Sequence, residues 1–293
     1  MAFWLVVNVC VSKFNRRGLE VARRECGFLD ELSGSGHVIK KVEEIPNSGE
    51  RLAVTVVYEA LAATSLRRFL DANPEQSLEL RVVKSITYQI LKGLADAHGL
   101  GIFHRDIRPS KIVIAVADNG LLTVKIVDFR DARRVGRPEP VTPTRDIEKV
   151  NLYYQSPEQL MGSTSYGAAV DMWVVGCILA ELADRCRVLF PGMNLIDSNR
   201  TLIQPREQDT GTQYLGQLYK IFSIRGTPRL HLLPANVAGF LDWETVPRFR
   251  RANLLRRFPM LGVSGNRLLA RLLSYSSVER LSAAAAIEHN FFD

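Results

Sequence analysis

His104-Arg105-Asp106-Ile107-Arg108-Pro109-Ser110-Lys111 runs straight into two short apolar segments, 111–116 (KIVIAV) and 122–127 (LTVKIV). Between them stands Asp118-Asn119-Gly120. Asn-Gly between β-branched runs predicts a hairpin, because both residues accept the positive φ that a tight turn requires. Asp128-Phe129-Arg130 leaves the second strand, and Ser156-Pro157-Glu158 stands 28 residues past Asp128.

Upstream of this hairpin, residues 80–98 place Val82, Ile86, Ile90, Leu91 and Leu94 on one face of a long helix. Segments 4–11 (WLVVNVCV) and 52–58 (LAVTVVY) are β-branched and read as strands. Residues 19–32 set Val21, Phe28, Leu29 and Leu32 at helical spacing, with Gly34 and Gly36 as a stop. Downstream, the spacing predicts helices at 168–183, 212–224 and 265–273. A polar stretch rich in Arg and Pro covers 130–150, and 194–211 lacks periodicity and reads as an exposed insertion. Strands dominate residues 1–60 and helices 61–293, an α+β arrangement.

The 293 residues are 46% hydrophobic and 24% charged, enough to bury a large core and unlike a disordered chain. A net charge of +7 favours phosphate-bearing or acidic ligands. The basic residues are spread along the sequence, so specific nucleic-acid binding is not expected. Cys10, Cys26, Cys177 and Cys186 lie far apart without a CxxC pair, which suits reduced thiols in an intracellular protein. The apolar start is too short to span a bilayer and has no leader pattern, so no membrane association is expected. Arg248–Arg257 (RFRRANLLRR) reads as a solvated face with Phe249, Leu254 and Leu255 buried, or as a surface for an acidic partner.

The string 104–111, Asp128-Phe129-Arg130 and Ser156-Pro157-Glu158 resembles the catalytic-loop, DFG and APE motifs of protein kinases. Asp171-Met172-Trp173 and Arg280 resemble the helix that anchors the catalytic loop and the arginine that pairs with the APE glutamate. Tyr166-Gly167, Leu189-Phe190-Pro191-Gly192, Gly226-Thr227-Pro228 and His289-Asn290-Phe291-Phe292 are similar to cyclin-dependent and mitogen-activated kinases. Arg24-Glu25 followed by Phe28-Leu29-Asp30-Glu31-Leu32 resembles the C-helix of cyclin-dependent kinases.

The resemblance implies a two-lobe fold with a reduced N-lobe sheet and a mainly helical C-lobe. It also implies ATP and Mg²⁺ as cofactors, a protein Ser/Thr substrate, and residence in nucleus or cytoplasm. Asp106 and Asp128 would face one pocket. Asp106 would accept the substrate hydroxyl proton, Asp128 would hold Mg²⁺ on the phosphates, and Arg108 would touch the γ-phosphate. Lys13, Glu25, Glu59 and Leu61 would contribute to the nucleotide site. His104, Glu158, Asp171 and Arg280 would be structural.

The departures bear on activity. Lys111 stands five residues after Asp106, where the family has an asparagine ligand for a second metal. A cation repels Mg²⁺ and cannot coordinate it, although its ammonium could pair with Asp128 or with a phosphate. Arg130 replaces the DFG glycine and gives up that glycine's backbone freedom. No glycine-rich loop precedes the first strand. Asp146 stands where related kinases carry a phosphorylated threonine, with Arg24, Arg105 and Arg133 at the positions that grip it; an aspartate supplies part of that charge. Arg23 occupies the position that docks into cyclin, which argues against cyclin dependence. Two readings stay open: a weak ATP-dependent serine/threonine kinase, and a catalytically inactive pseudokinase scaffold for protein partners.

Overall fold

The computed structural model describes residues 16–46, 54–72, 78–117, 119–134, 152–163, 167–192, 195–196, 202–203, 210–233 and 241–293. The strand expected at 4–11 lies outside them, as do Lys13 and Asp146. The chain opens on helix α1 (Arg16–Glu31), followed by the antiparallel pair β1 (Lys41–Pro46) and β2 (Val54–Tyr58). α1 lays Ala22 and Cys26 on Val56, which makes a small apolar cluster of its own. After these come β3 (Ala63–Ser65), α2 (Leu66–Asp71) and the long α3 (Leu80–Gly99). Ser65 caps α2 by accepting the Arg68 N–H, one of the donors that a helix start leaves unpaired.

The predicted hairpin forms. β5 (Ile112–Val116) pairs antiparallel with β6 (Leu122–Ile126), with β3 on the outer side of β5. The turn closes with the Gly120 N–H donating to Ala117 O, and Gly120 sits at φ +78. Two-residue strands β4 (Ile102–Phe103) and β7 (Arg133–Arg134) pair across the start of the loop that carries Asp106. The connector from α1 joins the same layer: Ile39 N–H donates to Ile126 O and Ile126 N–H to His37 O. Gly93 on α3 permits this, since a Cβ there would meet His37 O at 2.7 Å.

The rest is helical: the short turn α4 (Pro157–Leu160), α5 (Ala169–Ala183), α6 (Thr210–Arg225), the single turn α7 (Leu254–Arg257), α8 (Gly262–Leu272) and α9 (Ala283–Ile287). Every residue of α5 from Val170 to Leu182 is buried, the signature of a helix enclosed on all sides. Gly176 lets it approach α8, where a Cβ would meet the Leu273 side chain at 2.8 Å. Trp173 stacks on Phe190 with ring centres 5.7 Å apart.

Two expectations need correction, and one strand went unpredicted. Leu255 is 45% exposed although Leu254 is buried, because a single turn turns only one side inward. Within the segment read as irregular, β8 (Leu195–Ile196) pairs with β9 (Leu202–Ile203). Strand β1 was not apparent in KVEEIP, and both Val42 and Ile45 are exposed on it. Its pairing with β2 supplies the order that its own composition lacks.

Candidate functional site

The loop that carries Asp106 is suspended from α5. Asp171 accepts the His104 N–H on Oδ2 and the Arg105 N–H on Oδ1, each at 2.8 Å. His98 from α3 lies 3.0 Å from the same Oδ2. Burial opposes ionisation of Asp171, but the His98 hydrogen bond and the polar groups of His98 and His104 hold its carboxyl below the ordinary value. With its amide so held, Arg105 sits at φ 72, a conformation unusual outside glycine that the surrounding bonds enforce.

His104 is fully buried and ties the loop to the hairpin. Its Nδ1 accepts the Asp106 N–H at 3.3 Å, and Nε2 lies 3.1 Å from Val127 O, a pairing that places the ring proton on Nε2. The ring packs edge-on against Phe129 at 4.7 Å. Asp106, on the loop that leads into β5, and Asp128, just past β6, are thus brought to the same hairpin root. Lys111 links them: its ammonium pairs with Asp128 Oδ2 and lies 4.0 Å from Asp106 Oδ2.

Asp128, at φ 69, is held from a second side by Arg130, whose Nε and Nη2 reach its two oxygens at 2.6 Å each. Burial alone would raise this carboxyl, but the bonds from Arg130 and Lys111 drive it well below the ordinary carboxylate range. Asp106 is shifted the other way. Burial raises it, and Arg108, with Nε 3.5 Å from Oδ2, offsets only part of that. Two neighbouring carboxyls thus have opposite characters, one locked as an anion and one with a stronger hold on a proton.

Glu25 points inward from α1, 4% exposed, and Oε1 accepts the Phe129 N–H at 2.9 Å. Burial, and next the nearby Asp128, push its carboxyl up to about 7. Glu59 follows β2 and takes both the Lys40 N–H (2.8 Å) and the Lys125 ammonium (2.7 Å) on Oε1. Leu61 packs half-buried against the main core. Lys125 was not anticipated. Its signal was a lone cation between the apolar Val124 and Ile126, and those three residues form the buried end of the strand.

Arg24, Arg105 and Arg133 gather on one short segment. Arg24 Nη2 donates to Arg130 O at 2.9 Å, and Arg105 and Arg133 both approach Asp131 O at 3.4 Å. Farther down, Arg280 meets Glu158 through two bonds of 2.7 and 3.1 Å and also donates to Ala169 O.

Magnesium, which the resemblance implies, does not fit this arrangement. Both oxygens of Asp128 already face cations of the chain, and the position of a second ligand is the Lys111 ammonium. Among the described residues no three His, Cys, Asp or Glu side chains are placed to hold a metal. A polyphosphate fits better, since Arg108, Lys111 and Arg130 gather on this pair of aspartates.

A model of the protein kinase domain matches residues 7–292. Cyclin-dependent kinase B2-2 of Arabidopsis thaliana is 32% identical over 274 residues, covering 92% of this chain and 78% of that protein. No helix among the described residues is long and apolar enough to cross a membrane.

Proposed function

Because the chain belongs to the protein kinase family and is cyclin-dependent-kinase-like within it, we propose that it transfers phosphate from ATP to protein Ser/Thr slowly, using its own cations. The observation that carries this reading is Lys111, whose ammonium lies between Asp106 and Asp128. In this role Lys111, Arg130 and Arg108 neutralise the nucleotide phosphates, work that the family in general assigns to Mg²⁺. Asp106 receives the proton of the acceptor hydroxyl. Its burial-raised carboxyl is the better base of the two, because a base too acidic to hold a proton gives little assistance. His104 and Asp171 orient the loop, and Glu25 holds the Phe129 amide so that Asp128 keeps its place. Arg23 is exposed on α1, so that face offers a partner a solvated charge where an apolar dock would be needed, which weighs against cyclin dependence.

The saturation of both Asp128 oxygens favours a second reading, a scaffold that keeps the fold and its protein contacts without chemistry. Thermal-shift titration with ATP, in magnesium and in EDTA, separates the two. Slow transfer predicts the same nucleotide shift in both media, together with phosphate incorporation that disappears in Asp106→Asn. Lys111→Asn should then make binding magnesium-dependent, tightening it about tenfold in magnesium, or ~1.4 kcal/mol. No shift in either medium and no incorporation would leave the scaffold reading standing.

A further inference from the structure

A second polar cavity is lined by no residue of the Asp106–Asp128 group. A cavity of about 870 Å³ opens between the end of α6, the Gly226–Leu232 turn and the end of α8, inside the size range of small-ligand sites. Arg225 forms part of its wall and is 9% exposed. Its Nε donates to Leu273 O at 2.9 Å and its Nη2 to Ala270 O at 3.2 Å, while Nη1 is buried with no hydrogen-bond partner. No carboxylate of the described residues pairs with it. Arg229, Arg251, Arg271 and His231 stand exposed around the opening, and Glu279 is the one acidic lining residue among the described residues. Burial, and next the like charge of Arg251, lower the Arg225 guanidinium to about 10, as befits a cation short of negative company. Phe249, Tyr275 and Leu232 give the cavity an apolar side.

From the buried, unpartnered Nη1 of Arg225 and the arginines ringing this cavity, we propose that it binds an organic phosphate, a phosphomonoester attached to an apolar group. With Nε and Nη2 committed to Leu273 O and Ala270 O, Nη1 is the one guanidinium nitrogen without a partner, so the two-nitrogen fork that grips a carboxylate is not free. An anion with three terminal oxygens can draw on Arg225 and the rim arginines together. Nη1 is shielded from solvent, so binding includes a shift of the exposed rim side chains.

The test is calorimetric titration of the full chain with phenyl phosphate, inorganic phosphate and phenol. Phenyl phosphate should bind more tightly than inorganic phosphate, and phenol should give no heat. Arg225→Leu should weaken phenyl phosphate about tenfold or more. Arg251→Ser/Arg271→Ser, altered only at exposed positions, should weaken it as well and carries the test alone if Arg225→Leu does not fold. Absence of phenyl phosphate binding, or equal affinity for inorganic phosphate, overturns the proposal. So does affinity that survives both variants but is lost in Lys111→Met, since that places the anion at the other site.

Discussion

Arg280 and Arg225 are both buried and both reach the same turn of chain after α8, Arg280 through Nε to Ser274 O and Arg225 through Nε to Leu273 O. Only Arg280 meets a carboxylate, Glu158, in a two-bond pair that joins α4 to the last part of the chain. A buried guanidinium is a structural lock when its counter-charge is built in, and a potential anion receptor when it is not. The aspartates repeat the contrast. Asp171 is satisfied by backbone amides and His98, whereas Asp128 is satisfied by the side-chain cations of Lys111 and Arg130.

The sharpest way to break this contrast is to remove each arginine. Arg280→Met should cost about 3–5 kcal/mol in urea denaturation, because Glu158 is left buried and alone. An equal cost for Arg225→Met would erase the distinction.

Glu25 gives the next effect. Its folded carboxyl is raised from 4.5 to about 7, so the folded state keeps a proton that the unfolded chain has released. The protein should therefore lose stability as pH rises from about 4.5 to about 7, by up to about 3 kcal/mol, and change no further above that. Glu25→Gln should remove this component; parallel melting-temperature profiles for parent and variant between pH 4.5 and 8 would rule it out. The smallest effect belongs to Arg225→Met, at about 1–2 kcal/mol: two hydrogen bonds to Leu273 O and Ala270 O are lost, but no ion pair is broken and an uncompensated buried charge is removed.

Much of this was legible because local signals and tertiary demands coincide. The Asn-Gly turn and its β-branched flanks sufficed for β5 and β6, and apolar spacing sufficed for α3. The order of motifs from His104 to Arg280 pointed to the family that the kinase-domain match shows. Side chains whose role depends on a distant partner were harder to see. Lys125 needs Glu59, 66 residues away, before its burial makes sense. Arg225 was open to view in one respect: Leu218, Ile221 and Phe222 are buried on α6, and one further turn of that stripe arrives at Arg225. Helical periodicity therefore placed a charge on the buried face, although the absence of a counter-ion is a fact of three dimensions. The pairing of Lys111 with Asp128 could be raised from sequence only as an option, and the two-sided grip that includes Arg130 required the hairpin root to be seen folded.

Lys111 and Asp128 stand at the two roots of one hairpin, so the charge that neutralises this aspartate is tethered to it covalently. Its local concentration is set by the fold rather than by the medium, and chelation or dialysis cannot strip it away. A protein built this way keeps the same pocket electrostatics whether its surroundings are rich in divalent ions or starved of them.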